Sequence, residues 1–345
     1  MISTPTVEPA APTRAQTLIL AACLALVPAV AIGFGRFAYG LVLPAMRSDL
    51  GWSYAQSGAL NTANAVGYLM GALATAPLAR RVSSRGLLLG GLAVSILALL
   101  LAGLTRSFAL LLVCRFLVGL SAAFANITAT SLAAKLGRDA HENALALGLV
   151  ISGPSLGVLF SGAALPSLLA GHDARWPLAW QILAGVGFLT FFGALWGTKS
   201  LDVPHSPSQI DASGEETPAN LRVLWPTLAA YFGFGLGYIA YMTFLIAYVR
   251  AMGASPAMVS LTWLTLGVGM LASTFVWRGR MARELGGGTL ALMGLCGASS
   301  ALVLLFSSAL PALLLSALGF GVTTSAVFTA VTIAIRRHLS RPHWT

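Results

Sequence analysis

Charge is what this sequence has least of. Asp, Glu, Lys and Arg together make up 9% of its 345 residues, against about 25% in an ordinary soluble domain. A water-facing surface cannot be built from so few charges, which excludes the soluble classes. Acids are scarcer still: all ten Asp and Glu, and all five His, fall in tails or in loops between apolar runs. Proton relays within membranes are usually made of intramembrane Asp, Glu or His, and embedded hydrolases need such groups as bases or metal ligands. The expectation is a protein that is not an enzyme, with no catalytic residues, no metal site and no cofactor. The three cysteines, Cys23, Cys114 and Cys296, lie inside apolar runs. They make no disulfide framework and read as small buried side chains.

Apolar runs are what the chain has in abundance. Hydrophobic residues account for 57% of it, and a helix that crosses the hydrocarbon core needs about 20 largely apolar residues. Ten such runs follow one another between Gln16 and Ile335. The class is all-α, a polytopic membrane protein whose partner is the lipid bilayer. The net charge of +10 raises the question of nucleic acid, but its placement answers otherwise. With the amino terminus inside, fourteen of the Lys and Arg fall in cytoplasmic segments and four in external ones, which obeys the positive-inside rule and places both termini in the cytoplasm. Trp52, Trp176 and Trp180 are then expected at the outer interface, and Trp196, Trp225 and Trp277 at the inner one. Residues 1–15 read as a disordered tail, and the run after them is too long for a cleaved signal.

The stretch "GFGRFAYGLVLPAM", Gly33 to Met46, outlines a dinucleotide-binding turn, G-x-G-x-x-A. That turn needs a preceding strand and an acid about 20 residues on; here the glycines sit inside a spanning run and Asp49 comes too early. The glycines read instead as small residues that let two helices approach. The same stretch begins an internal repeat. Helices one to four line up with seven to ten in the same orientation, at an offset that settles to 202 residues: Gly51 matches Gly253, Ser53 matches Ser255 and Gly119 matches Gly321. A parallel repeat of six-helix units is the arrangement of the two halves of major facilitator transporters. The expected domains are an amino-terminal six-helix bundle at 16–198, a polar disordered linker at 199–222 and a four-helix second bundle at 223–345. Counterparts of helices five and six would fall beyond Thr345, so the expectation is six helices plus four of a six-plus-six plan.

Three motifs carry a family resemblance. "RFLVGLSAA" from Arg115 resembles the R-x-x-x-G of helix four in the major facilitator superfamily, "SGPSLG" from Ser152 resembles its helix-five G-P-x-x-G, and "PLARRVSSRG" from Pro77 resembles its helix two to three loop. Arg80 stands where that loop usually has Asp. The opening stretch and the final "HWT" resemble more narrowly the bacterial YbfB/YjiJ-type members. The resemblance implies a multi-pass protein of the cell inner membrane that works by alternating access, with helices one, four, seven and ten around a central cavity. It also implies gating roles for Arg80, Arg81 and Arg85 and for Gly153, Pro154 and Gly157.

Arg36 and Arg115 are the charges inside spans. An arginine at a helix centre costs roughly 2.5–3.5 kcal/mol on insertion scales, and such residues usually face a cavity or a partner. The second half has Leu236 and Ala317 at the matching positions, so the positive charge is one-sided. Asn126 follows Arg115 on one face of helix four, and helix seven carries a stripe of tyrosines, Tyr231, Tyr238, Tyr241 and Tyr248. The candidate substrate residues are Arg36, Tyr39, Arg115, Asn126, Tyr238 and Tyr241, in a cavity with cations on one wall and phenols on the other. For Arg36 a binding role and a structural one weigh equally; for Arg115 the structural one leads. Asn61, Asn64 and Tyr68 share a face of helix two and are assigned to interhelical hydrogen bonds. The function read from this is secondary transport of a small organic anion, carboxylate-like, by a monomer with H+ as the candidate coupling ion. The alternatives are a truncated, non-transporting fragment and an efflux antiporter of neutral or amphipathic compounds.

Overall fold

The computed structural model describes residues 13–199, 221–283 and 287–338. Most of the linker expected at 199–222, most of the 1–15 tail and the last residues, 339–345, lie outside the described residues. Ten helices follow in order: α1 (Arg14–Leu50), α2 (Tyr54–Ala79), α3 (Ser84–Ala102), α4 (Phe108–Ala133), α5 (Ala140–Leu169), α6 (Trp176–Gly197), α7 (Leu221–Ala251), α8 (Pro256–Arg283), α9 (Gly288–Phe306) and α10 (Leu310–His338). No strand occurs among the described residues. Nine of the helices are long and apolar enough to cross a membrane. The other, α2, is 26 residues long, and Gln56, Asn61, Thr62 and Asn64 lower its hydropathy. The face where α1 begins is called terminal below and the opposite one distal.

Local sequence sets the helix ends. Thr13 and Gln16 form a reciprocal capping box at the start of α1, and Ser53 and Gln56 do the same for α2, each satisfying backbone N–H groups that have no intrahelical partner. Gly51 and Gly253 adopt φ of 65° and 73°, the left-handed conformation that stops α1 and α7 at matching positions of the repeat. Inside α1, residues Ala29–Phe37 wind as a π-helix directly after Pro28. Proline cannot donate to the preceding turn, and widened turns of this kind are frequent at functional sites. Arg36 lies in the last turn of that segment.

The parallel repeat is visible in the helix crossings. A Cβ on Gly119 would strike the Asn64 carbonyl oxygen and the Tyr68 nitrogen, and a Cβ on Gly321 would strike the Leu266 oxygen and the Met270 nitrogen. All three pairs of residues differ by the repeat offset of 202. Gly67 against Phe116 and Leu120 has the same counterpart, Gly269 against Leu318 and Val322. So α2 crosses α4 as α8 crosses α10, backbone against backbone, through glycines that admit no side chain.

Glycines also join α1 to α5. A Cβ on Gly33 would lie 2.7 Å from the Gly157 Cα and 2.9 Å from the Pro154 oxygen, and Gly153 meets the Ala25 oxygen. The G-P-x-x-G stretch of α5 is thus the surface on which the π segment rests. The two halves meet toward the distal face. Gly40 of α1 abuts the Met242 carbonyl of α7, Asn61 Nδ2 donates to Thr243 Oγ1 at 2.6 Å, and Trp263 Nε1 of α8 donates to Ser161 Oγ of α5 at 3.2 Å. At the distal rim Arg250 pairs with Asp173 at 2.6 Å.

The tryptophans of the expected aromatic belt divide by burial. Trp52, Trp176 and Trp180 are buried, and so is Trp277; they pack the bundle interior, where Trp176 Nε1 donates to Asp49 at 2.8 Å and Trp277 Nε1 to the Val322 oxygen at 3.0 Å. Trp196 and Trp225 are exposed, as interfacial residues would be.

Candidate functional site

The π segment turns Arg36 toward the seam between the halves. Its guanidinium carbon lies 5.9 Å from the ring centre of Tyr68 on α2 and 5.6 Å from that of Tyr238 on α7, at the reach of a cation–π contact. Tyr238 is held in place by Phe234, stacked at 5.6 Å, and by Phe328 and Phe37, edge-on at 5.9 and 6.1 Å. Asn126 Nδ2 donates to the Tyr68 hydroxyl at 3.2 Å. A narrow pocket remains beside Arg36, bounded by Phe37, Gly40, Asn61, Tyr238, Met242 and Thr243 among others. No carboxylate pairs with Arg36 among the described residues: Asp49 is taken by Arg106 at 3.1 Å and by Trp176, Asp173 by Arg250 and Glu142 by Arg138.

Arg115 has a different setting. It is 2% exposed and donates through Nη1 to the carbonyl of Gly35, the residue just before Arg36. Its guanidinium sits 4.4 Å above the ring of Tyr39, and Tyr39 is itself fully buried, with its hydroxyl donating to the Ser57 oxygen at 2.7 Å. Arg115 and Tyr39 are therefore neighbours of each other inside the first half, away from the pocket beside Arg36. Arg115 does not line the pocket beside Arg36, contrary to the expectation of one cavity shared by both arginines. Arg115 instead occupies a carbonyl of the π segment and fixes the backbone from which Arg36 projects.

The remaining candidates separate in the same way. Tyr238 and, through Tyr68, Asn126 belong to the Arg36 group. Tyr241 points elsewhere, stacked on Phe320 at 3.8 Å with its hydroxyl against Ser316 Oγ at 2.8 Å, so it joins α7 to α10. Gly153, Pro154 and Gly157 support α1, as described. Arg80 and Arg81 are exposed on the terminal face and Arg85 is half-buried there. Asn61, Asn64 and Tyr68 do make the interhelical hydrogen bonds assigned to them, Asn64 to the Arg115 carbonyl at 3.2 Å. Asn61 also lines the Arg36 pocket and the Tyr68 ring lies 5.9 Å from the Arg36 guanidinium carbon, a second role for their polar stripe on α2. Thr243 and Met242 gave no such signal.

Two parallel helical repeats with a cationic pocket on the seam between them define a membrane transporter of the major facilitator superfamily. A family model described as "Uncharacterised MFS-type transporter YbfB" matches residues 28–344, and the chain belongs to that family. Among solved structures, a bacterial homologue of the human lysosomal transporter Spinster, inward-facing and unoccupied, is similar at a TM-score of 0.65 and 17% identity over 93% of this chain and 76% of that one. The nucleoside transporter NupG is similar at a TM-score of 0.65 and 11% identity over 94% of this chain and 84% of that one. At these identities the likeness is one of fold. A "Chloramphenicol resistance protein" of Streptomyces lividans is 31% identical over 153 residues, 43% of this chain and 38% of that protein, so the match spans well under half of that relative's length.

Proposed function

We propose that this chain moves a small organic anion, carboxylate-like in charge, across the cell inner membrane by alternating access, with Arg36 as the anchor of the anionic group. The observation that carries this reading is the setting of Arg36: a guanidinium without a carboxylate partner among the described residues, near one phenol ring from each half of the molecule. A planar guanidinium receives a carboxylate through two parallel charge-assisted bonds. Because Tyr68 and Tyr238 belong to different halves, a ligand on Arg36 touches both, and movement of the halves changes its surroundings. Such differential contact is what a ligand needs to shift a conformational equilibrium. Under the positive-inside rule the terminal face is cytoplasmic, and the contacts at Gly40, Asn61 and Arg250 then seal the outside. Domains are 16–198 and 223–345, flanking the 199–222 linker. With neither carboxylate nor imidazole beside Arg36, H+ coupling would run through the ligand's own carboxylate. The protein acts as a monomer.

A second reading has support from the Streptomyces relative and from the Tyr68 and Tyr238 rings beside Arg36: efflux of neutral or amphipathic compounds, with Arg36 as a stacking partner. Reconstituted proteoliposomes separate the two. Labelled benzoate is expected to enter saturably, with at least tenfold less flux in Arg36→Gln, while a neutral aromatic such as benzamide is excluded. Flux of benzamide that survives Arg36→Gln, without benzoate flux, supports efflux instead. No flux of either, from protein that is folded, supports the non-transporting fragment.

A further inference from the structure

The seam between α1 and α7 holds a second pocket, on the distal side of the first. Leu43, Pro44 and Arg47 of α1, Tyr54 of α2, and Ala247, Arg250 and Ala251 of α7 enclose about 190 Å³. Two arginines line this space, and among the described carboxylates only Asp173 pairs with either. Arg250 Nη2 pairs with Asp173 Oδ1 at 2.6 Å. The Arg47 guanidinium carbon lies 3.8 Å from the centre of the Tyr54 ring, and its Nε is buried without a hydrogen-bond partner. Leu43, Pro44, Ala247 and Ala251 supply the apolar remainder of the wall. An arginine without a carboxylate partner among the described residues, beside an aromatic ring and aliphatic side chains, fits the carboxylate of a small organic acid.

Both pockets are made by the same two helices. On α1, Arg36, Gly40, Leu43 and Arg47 recur at three- and four-residue spacing and so share a face; on α7, Tyr238 and Met242 line the first pocket while Ala247, Arg250 and Ala251 line the second. Between them stand the backbone contact of Gly40 with Met242 and the hydrogen bond from Asn61 to Thr243. From Arg36 to Arg47 the rise along a helix is about 16 Å. The two cationic pockets are thus in series along one seam, parted by a thin plug.

We propose that the distal pocket binds a small organic carboxylate, with Arg47 as its charge partner, and is the staging site for the anion on the distal side of the plug. The ligand class rests on the Arg36 reading; occupancy of the pocket does not. A lipid headgroup phosphate has related charge, so the test separates the sources. Purified protein in phosphatidylcholine nanodiscs is titrated with sodium benzoate by calorimetry at constant ionic strength. The wild type is expected to show two saturable sites, and Arg36→Gln to lose one of them. Arg47→Gln is expected to weaken the other at least tenfold. Ala247→Phe, which fills the pocket without changing charge, is expected to remove that same site, so a folding defect in one variant does not decide the matter. A single wild-type site abolished by Arg36→Gln, with Arg47→Gln and Ala247→Phe unchanged, overturns the distal site and leaves the Arg36 reading standing. A single site abolished by Arg47→Gln does the reverse. Absence of benzoate binding in folded protein overturns both. Loss of the Arg47-dependent heat when phosphatidylglycerol replaces part of the lipid assigns the pocket to a headgroup and overturns the soluble-anion assignment.

Discussion

The two halves of the molecule agree where helices touch and differ where charge sits. The crossing of α2 with α4 recurs in α8 with α10 down to the carbonyl oxygens that meet Gly119 and Gly321. Around α1 and α7 the likeness stops. Arg36 faces a pocket and Arg115 is buried, while their counterparts are Leu236, 62% exposed, and Ala317, fully buried. The duplicated scaffold carries the same packing glycines at the α2–α4 and α8–α10 crossings, while the arginines of α1 and α4 stand in one copy alone.

Writing the second half's residues into the first tests that contrast most severely. Arg115→Ala copies Ala317 and removes the donor to the Gly35 carbonyl and the cation over Tyr39. A large buried side chain cut to alanine typically costs about 2–5 kcal/mol, so unfolding in detergent, followed by tryptophan fluorescence, is expected many degrees lower. Arg36→Leu copies Leu236 and is expected to leave that midpoint unchanged or raise it, because a leucine replaces an unpaired cation within the bilayer, while benzoate transport is lost. Equal destabilisation by the two would show that both arginines are structural.

That difference between the arginines marks how far the sequence could be read. The ten helices, the repeat and the glycine crossings follow from run length and spacing, because a spanning helix must satisfy its backbone internally and a helix pair in close contact must be small-sided. Arg36 and Arg115 look alike in sequence, each a lone cation in an apolar run at similar depth. What separates them is the π segment after Pro28, which presents the Gly35 carbonyl to one and turns the other to the seam. A widening of the helix leaves no periodic trace in the residues. Tyr39 and Tyr238 are likewise alike in sequence and differ in the neighbours of their rings, and Tyr241 belongs to a stripe whose members point at different helices.

The glycines supply the next largest effect, and they can sharpen the comparison within a single residue type. Gly119→Ala and Gly321→Ala each push a methyl group into a facing backbone oxygen, which cannot swing aside. Overpacking of this kind typically costs about 1–3 kcal/mol, and the two substitutions should lower the thermal midpoint by similar amounts, since the crossings are equivalent. Gly237→Ala, where nothing lies within 4 Å, should leave the midpoint unchanged or raise it, because alanine in a helix is favoured over glycine by about 1 kcal/mol.

The smallest effect concerns the plug that joins the halves, where no repeat partner exists for comparison. Asn61 and Thr243 are both buried and share one hydrogen bond of 2.6 Å. Its removal is worth about 1 kcal/mol, roughly a fivefold shift in a two-state equilibrium. Spin labels at Ala55 and Ala257, exposed repeat-equivalent positions at the distal ends of α2 and α8, report the gap between halves once Cys23, Cys114 and Cys296 are replaced by Ala. In Asn61→Ala the population at longer distance should rise by about that factor, and Thr243→Val should do the same. The double variant should add nothing further, because the two side chains act through one bond. Additive effects would mean that each side chain holds the halves together through a separate contact, and the distal seal would then depend on the backbone meeting of Gly40 with Met242 instead.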